Sequence, residues 1–436
     1  MELDNTMLAR LLTSLTLGFH IIFAAMGVGI PVIISVAEWL GIRKKDPMYT
    51  LMAKRWVKGF TVTVAVGVVT GTCIGLQLSL LWPSFMKVAG EAIALPLFLE
   101  TFAFFFEAIF LGIYLYTWDR FKNPYIHWLF SLPVILGSTA SAFFIMTVNA
   151  FMNTPQGFTL ENGSIVDIQP LAAMFNPATP SKAGHMILSA YTVSAFILAA
   201  IAAWKILKGN KHVYYKKALN FTMVLSLIFA IGTAVWGDIA GKFLAQYQPA
   251  KLAAAEWHFE TKTEAELILG GVLDPVTNEV KYGLKIPYAL SILATNSPIG
   301  EVIGLDQIPR ELWPPLFIHY LFDGMVVIGM YLLVVPLVYF ACKRWKKGEL
   351  PRYLMHLIIW GAPLSMLAIE LGWIFSEVGR QPWILVGYMK TSNAATTADN
   401  VGEMLILFSL LYTFLAVVCT LVLKRMFKNK PAEAEL

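Results

Sequence analysis

The sequence is poor in charge. Asp, Glu, Lys and Arg make up only 14% of its 436 residues, whereas a soluble domain carries about a quarter. Hydrophobic residues account for 57% of the chain, and the mean hydropathy is +0.65. This balance excludes an ordinary soluble globular protein and indicates a protein that lies in a lipid bilayer.

Cysteine is also scarce. The three cysteines, Cys73, Cys342 and Cys419, are far apart in the chain and form no CxxC spacing. The sequence therefore predicts neither a disulfide framework nor a thiolate metal site. The first residues, MELDNTMLAR, lack the basic stretch of a cleavable secretory signal, so we expect the first apolar segment to stay in the mature protein.

Long apolar runs are what the chain has in abundance. Each is long enough to cross a hydrocarbon core about 30 Å thick, and each is far too long for a barrel strand. The sequence therefore predicts an all-α integral membrane protein with nine transmembrane helices. The predicted spans are 12–40, 55–82, 93–118, 126–152, 183–207, 216–241, 312–342, 355–378 and 401–424.

The basic residues predict the orientation of these spans. Of the 33 Lys and Arg residues, 22 follow the odd-numbered spans, in 43–58, 120–122, 205–217, 343–352 and 424–430. The positive-inside rule then places the amino terminus outside and the carboxyl terminus in the cytoplasm. We assign the net charge of +5 to membrane anchoring and expect no nucleic-acid partner.

The loop at 242–311 divides the chain. We expect residues 1–241 to hold helices 1–6, residues 242–311 to form an extracytoplasmic loop and residues 312–436 to hold helices 7–9. A loop of about seventy residues is usually functional or disordered. It opens with QPAKLAAAEWHFET, which predicts a short amphipathic helix carrying Lys251 and Glu256, with a solvated surface helix as the alternative to a functional one.

Ionisable side chains inside the spans are candidate sites, because each costs about 2.5–3.5 kcal/mol to place near the membrane centre. Glu100 and Glu107 are two turns apart on one helix face, which favours a proton relay over a pair of structural acceptors. The local sequence offers them no hydrogen-bond partner. The ionisable residues inside spans are His20, Glu38, Glu100, Glu107, His185, Asp238, His319, Asp323, Glu370 and Glu377.

A histidine and a methionine on different helices can hold a haem iron from both faces. His185 and Met325 form such a candidate pair, and His319 is an alternative to Met325 that would give bis-histidine ligation. His20 lies in LTLGFHIIFAAMGVG, where small residues allow close approach. Trp373 is a candidate to line a cofactor or an electron path.

Several strings of the sequence carry a family resemblance. The sequence resembles subunit I of the cytochrome bd-type quinol oxidases, the copper-free terminal oxidases of bacterial respiratory chains. The strings that carry it are GFH at 18–20, FFFEAIFLGIYLYTWDR at 104–120, GHM at 184–186, QPAKLAAAE at 248–256, IPYAL at 286–290 and GRQPW at 379–383.

The resemblance implies three haems. His185 and Met325 match the axial ligands of a low-spin haem b, while His20 and Glu377 match residues that serve a high-spin haem b and a haem d, in an order that stays open. It implies that Arg380 and Trp373 pack about the haems. Arg380 is expected to pair with haem propionates or to balance Glu377, and a surface ion pair is the alternative.

The resemblance also implies substrates and partners. Lys251 and Glu256 match residues of quinol oxidation, and residues 242–311 match the segment that the family calls the Q-loop, here at the short end of its range. Glu107 and Glu100 match carboxylates that bring protons to the site of O2 reduction. We expect a second large subunit, often a small single-span subunit, and a location in the bacterial cytoplasmic membrane.

One residue departs from the family, and two other classes of protein compete with this interpretation. Many relatives carry Arg two residues before the ligand Met, where this chain has Asp323, so charge compensation must come from elsewhere. A haem-copper oxidase would need three further histidines for copper, and the deep imidazoles are too few. A secondary transporter would explain Glu100 and Glu107 but leaves the His and Met pair without a role.

Overall fold

Helices form most of the protein. The computed structural model describes residues 4–161, 164–274, 276–345, 350–429, 431–432 and 435; Lys346, Lys347 and Lys430 of the basic clusters lie outside these ranges. The helices are α1 Asn5–Lys44, α2 Pro47–Leu81, α3 Pro83–Tyr116, α4 Pro124–Leu129, α5 Ser131–Asn153, α6 Pro170–Met174, α7 Ala178–Leu207, α8 Val213–Tyr247, α9 Pro249–Ala255, α10 Ala289–Thr295, α11 Ile318–Trp345, α12 Arg352–Val378 and α13 Val401–Asn429.

Strands occur only in short antiparallel pairs between helices, as far as the structure describes the chain. Short 3₁₀ turns cover Leu305–Gln307, Arg310–Leu312 and Thr391–Asn393. In the longest loop, Ile268 lies opposite Lys285. The strand pairs are β1 Thr159–Glu161 with β2 Ser164–Val166, β3 Leu267–Leu269 with β6 Leu284–Ile286, β4 Val272–Leu273 with β5 Val280–Lys281, and β7 Trp383–Leu385 with β8 Met389–Lys390.

The prediction of nine spans is confirmed. Within the described residues, nine helical segments are long and apolar enough to cross a membrane: α1, α2, α3, α4 with α5, α7, α8, α11, α12 and α13. The predicted start of span 7 at residue 312 is wrong, because α11 begins at Ile318. Pro314 and Pro315 precede it, and proline lacks the N–H that a helix interior needs.

Local chemistry sets the helix ends. At the first helix, the Asp4 side chain accepts a hydrogen bond of 2.7 Å from Met7 N, so α1 begins before the predicted residue 12. At its other end Lys45 adopts a left-handed conformation with φ 51°, which ends α1. Asp46 caps α2 through Met48 N, and Pro47 fills the first turn of α2, where a missing N–H is harmless.

The membrane helices include two rings of four, and α7 joins one ring to the other. In one ring α1 packs on α2, α2 on α3, α3 on α5 and α5 on α1; in the other, α7 packs on α8, α8 on α11, α11 on α12 and α12 on α7. α7 also packs on α1 and α5, which joins the rings. The join is close, because a Cβ at Gly29 of α1 would lie 2.6 Å from the carbonyl oxygen of Ala190 in α7.

The loop after α8 folds onto the helix ends. Its apolar residues, including Leu252, Leu290 and Val302, share a core with Ile318 and Phe375 of the membrane helices. The expected short helix is present as α9, but the solvated-surface alternative is wrong. Lys251 is 4% exposed and Glu256 is 1% exposed, because this amphipathic segment packs its polar residues inward.

Candidate haem and quinol site

His185 and Met325 lie on opposite helices of the second ring. His185 is on α7 and Met325 on α11, and both helices pack on α8 and α12. Within the described residues, α7 and α11 do not pack extensively on each other, nor do α8 and α12. The ring therefore has a centre that side chains from α7 and α11 can approach from two sides.

Glycines on the two other helices leave room beside these side chains. A Cβ at Gly237 of α8 would lie 3.4 Å from His185 Cε1, and one at Gly372 of α12 would lie 2.7 Å from Met325 Sδ. Among the described residues, His185 Nδ1 is buried without a well-aligned hydrogen-bond partner. A buried imidazole without a hydrogen-bond partner and a thioether packed against a glycine fit the two ligands of a haem iron.

His319, the alternative ligand, is engaged by the protein on both ring nitrogens. Its Nδ1 lies 2.7 Å from the carbonyl oxygen of Ala255, and its Nε2 lies 3.2 Å from that of Gly270 and 3.1 Å from Asp323 Oδ2. The ring also stacks on Trp257 at 3.8 Å between centroids. Both nitrogens are engaged by oxygen atoms of the protein, which favours Met325.

A hydroxyl of α2 orients His20. Its Nδ1 lies 2.9 Å from Thr70 Oγ1, which also lies 3.0 Å from the carbonyl oxygen of Val66. When the hydroxyl donates to that carbonyl, Nδ1 carries the hydrogen and the lone pair is on Nε2. Metal-binding histidines are typically oriented by such a bond from the other ring nitrogen.

Glu377 lies in a cluster with an excess of positive charge. Its Oε2 accepts from Arg380 at 2.6 Å and its Oε1 accepts from Asn149 Nδ2 at 2.6 Å. Lys182 Nζ donates to Asn149 Oδ1 at 3.0 Å and to Ser376 Oγ at 2.9 Å. Lys251 Nζ donates to the carbonyl oxygen of Ser376 at 2.9 Å, so three basic side chains lie around one carboxylate.

Some buried hydrogen-bond donors of the cluster have no acceptor. Nε and Nη1 of Arg380 and Nε1 of Trp373 are buried without hydrogen-bond partners within the described ranges. Leaving buried donors unpaired is unfavourable by about 1–3 kcal/mol each. Unpaired donors beside excess positive charge fit an anionic group such as a haem propionate, and the surface ion pair is wrong because Arg380 is buried.

The loop helix α9 brings Lys251 to this cluster, and Glu256 follows at the end of α9. Burial, together with Lys182 and Arg380, holds the pKa of Lys251 well below its usual value. Burial and the nearby Asp323 carboxylate raise the pKa of Glu256 to about 8. In the part of the chain that the structure describes, neither oxygen of Glu256 has a well-aligned hydrogen-bond partner. A carboxylate in this state suits proton acceptance near neutral pH.

Asp323 has its own partners within the protein. It accepts from the backbone N–H of Gly270 and lies 3.1 Å from His319 Nε2. The loop residue Gly270 and the imidazole thus hold an acidic residue at the position where many relatives have Arg.

Glu100 and Glu107 lie on the face of α3 that packs on α5. The sequence around Glu100 was expected to offer no partner, and the one that the fold supplies comes from another helix: Ser141 Oγ of α5 donates to Glu100 at 2.9 Å. Glu107 is 5% exposed, and a Cβ at Gly137 of α5 would lie 2.8 Å from its Cβ. Glu107 Oε1 has no partner among the described residues.

Sequence reasoning missed the residues that support the site. Lys182, Asn149, Ser376 and Thr70 come from four helices and contact the candidate residues only in the folded chain. Lys182 alone had a sequence signal, as a lysine at the start of a long apolar run.

Comparison with known proteins settles the family. The family model described as "Cytochrome bd terminal oxidase subunit I" matches residues 8–431. The chain belongs to this family. Similar proteins include the "Putative cytochrome bd menaquinol oxidase subunit I" of Bacillus subtilis (strain 168), 42% identical over 100% of this chain and 99% of the relative. The "Cytochrome bd ubiquinol oxidase subunit 1" of the same organism is 30% identical over 98% of this chain and 94% of the relative.

A solved structure agrees with the fold. The structure of bd oxidase from Geobacillus thermodenitrificans has a chain that is 59% identical, with a TM-score of 0.95, covering 98% of this chain and 99% of that chain. The resemblance predicted from the sequence is confirmed. The chain is a multi-pass bacterial membrane protein and a subunit of a terminal respiratory oxidase, from a family with haem cofactors. The family assignment leaves the transporter interpretation without support.

Proposed function

We propose that the chain oxidises quinol at the outer face of the membrane and reduces O2 to water with protons from the cytoplasm. The observation that carries the proposal is the cluster around Glu377, where buried cations with unpaired donors meet the loop helix α9. The haems, when bound, pass electrons from quinol to O2. Charge separation then follows from releasing and taking protons on opposite sides, without a pumping element and without copper.

Quinol binds beside α9 in this proposal. Glu256, with its pKa of about 8, accepts a proton from the quinol hydroxyl, because a base whose pKa lies near the working pH is best suited to proton transfer. Lys251 positions the headgroup, and its bond to Ser376 O ties that position to the end of α12. Residues 242–311 thus act as the Q-loop between the segments 1–241 and 312–436, although α8 extends to Tyr247 and α11 starts at Ile318.

Three haems have candidate ligands. His185 and Met325 would hold a low-spin haem b, and His20 and Glu377 would serve a high-spin haem b and a haem d. Trp373 Nε1 and the unpaired nitrogens of Arg380 would donate to propionates. The support is the set of unpaired buried atoms at these positions and the contact that orients His20 through Thr70.

Protons reach the site along α3. Glu107 takes a proton from the cytoplasmic side and Glu100 passes it outward, with Ser141 keeping the Glu100 carboxylate oriented. The amino terminus lies outside and the carboxyl terminus in the cytoplasm. A second large subunit, and often a small single-span subunit, completes the complex.

A visible spectrum and a pair of variants test the proposal. The purified complex is expected to show a Soret band and, when reduced, a far-red band of haem d, with no copper by metal analysis. Glu107→Gln is expected to slow quinol-dependent oxygen consumption while quinol still reduces the haems. Glu91→Gln, on the exposed face of the same helix, is the matched control. A colourless complex, or a Glu107→Gln variant with unchanged oxygen consumption, would contradict the proposal.

A further inference from the structure

A second buried polar cluster lies away from the haem and quinol residues, at the end of α1 that is followed by Lys44 and Lys45. It joins Glu38 of α1, Tyr114 of α3 and His127 of α4, which are 2%, 2% and 4% exposed. We call these three residues the Glu38 cluster. No role described above uses it, although burying a carboxylate and an imidazole is unfavourable unless they are paired.

The hydrogen bonds of the Glu38 cluster fix where its protons are. His127 Nε2 lies 2.9 Å from the backbone carbonyl oxygen of Tyr114. A carbonyl can only accept, so Nε2 carries a hydrogen. The Tyr114 hydroxyl donates to Glu38 Oε2 at 2.6 Å. The remaining contact, 2.6 Å between His127 Nδ1 and Glu38 Oε1, then needs a proton of its own.

The contact between His127 and Glu38 holds one proton, whether the proton is on the nitrogen or on the oxygen. If it is on Nδ1, the pair is an imidazolium and a carboxylate; if it is on Oε1, the pair is a neutral imidazole and a carboxylic acid. Without it, two lone pairs would face each other at 2.6 Å in a site of low dielectric. The geometry therefore describes a pair that holds one shared proton and is unfavourable once that proton has left.

Aromatic rings close the pair off from its surroundings. The His127 ring lies 4.6 Å from the Tyr114 ring and 4.2 Å from the Trp118 ring, between centroids. The charged groups nearby are Lys54 of α2, 5.1 Å above the Trp118 ring, and Asp119, which Lys54 contacts at 2.8 Å. These two are paired with each other, so among the described residues Tyr114 is the one titratable group that contacts the pair directly.

The Glu38 cluster is in line with the carboxylates of α3. Glu100, Glu107 and Tyr114 follow one another at intervals of seven residues, which places them on one face with about 10 Å of helix rise between neighbours. A small cavity of ≈ 10 Å³ lies beside Tyr114. Its lining is mostly apolar and includes Leu111, which lies one turn from Tyr114 toward Glu107 on α3.

We infer that Glu38 and His127 form a proton-loading site that supplies Glu107 from the cytoplasmic side. The inference rests on the proposed function. The pair releases its shared proton toward Glu107 by way of the Tyr114 hydroxyl, and it takes a proton back from the cytoplasmic side. One proton enters for each that moves inward, so charge is balanced and no electron is involved.

The competing explanation is that the Glu38 cluster only holds the helices together, as a structural joint. The chain offers a matched control for this explanation. Ser35 lies one turn before Glu38 on α1 and also joins α1 to its neighbours. It accepts from Ser131 at 2.7 Å and from Trp128 Nε1 at 3.1 Å. Ser35→Ala loosens this joint without removing a titratable group.

The test measures proton uptake by the intact complex in vesicles. The fully reduced complex is mixed with O2, and a pH dye on the cytoplasmic side follows uptake. We expect Glu38→Gln to slow uptake by about tenfold or more, because a positioned acid or base contributes at least this much to proton transfer. The slowed rate should fall further as pH rises, since each proton then comes from bulk water. Ser35→Ala should leave the rate unchanged.

A second variant covers a failure to fold. His127→Gln keeps an amide donor for the Tyr114 carbonyl but cannot carry the shared proton. It should slow uptake as Glu38→Gln does, with the haem spectrum intact. Equal slowing in Ser35→Ala and Glu38→Gln would overturn the inference in favour of a joint, and unchanged uptake in both loading-site variants would also overturn it.

Glu107→Gln separates the inference from the proposed function. If Glu107→Gln slows uptake and the loading-site variants do not, the inference fails while the proton route of the proposed function stands. If Glu107→Gln also leaves uptake unchanged, the route along α3 is wrong.

Discussion

The clearance around Met325 gives the sharpest prediction, the effect of Gly372→Ala. The new Cβ would lie 2.7 Å from Met325 Sδ, whereas non-bonded heavy atoms settle at about 3.5–4.0 Å. The sulfur must therefore retreat by about 1 Å. A free methionine side chain has three rotatable bonds and can do this easily.

A methionine that holds a haem iron would not have this freedom. We expect Gly372→Ala to lose the low-spin haem b signal from the reduced-minus-oxidised spectrum and to lose quinol oxidation, with the high-spin signals retained. Gly329→Ala is the matched control. It lies one turn after Met325 on α11, and a Cβ there meets nothing within 4 Å.

The result separates two accounts of Met325. If it is a core side chain, Gly372→Ala should be mild and both variants should look like the parent protein. A Gly372→Ala complex with its full low-spin spectrum would therefore refute the assignment of Met325 as a ligand. Loss of the signal in both variants would point to a general effect on the helices rather than to the axial bond.

Three further predictions concern other parts of the site. When quinol oxidation limits the rate, oxygen consumption should rise as the pH approaches about 8. Glu256 must lose its proton to act as a base, and its pKa is about 8. Glu256→Gln should remove this dependence from the pH profile of oxygen consumption. Thr70→Val should weaken retention of the haem at His20 by about 10-fold to 100-fold, the usual effect of losing the partner that orients a ligand. The haem content after dialysis measures retention, and Thr72→Val, at an exposed position, is the control. His319→Phe should keep the low-spin spectrum, and its loss would restore bis-histidine ligation.

The sequence predicted the membrane spans well because hydrophobicity is a local property. Every predicted span overlaps a helix, and the errors lie at the ends, where capping and proline decide. Asp4 extends α1 toward the amino terminus and two prolines delay α11. Such errors shift a boundary by a few residues and leave the number and order of helices intact.

The site was less accessible to sequence reasoning because its contacts join distant parts of the chain. Glu377 stood out as a charge at a helix end, but Asn149 is 228 residues away in sequence and carries no signal of its own. Glu38 was noted only as a carboxylate inside a span, and nothing near it in sequence pointed to His127. Family resemblance named candidate ligands, whereas only the folded chain shows which buried atoms still lack a partner.

The bond from Lys251 to the backbone of Ser376 ties the loop after α8 directly to the end of α12 that carries Glu377. A loop anchored directly beside Glu377 cannot be exchanged as an independent module. An engineered enzyme with a loop taken from a relative, intended to accept another quinone, would also have to reproduce this anchor. Without the anchor, the exchange would disturb the metal centre before it changed the substrate preference.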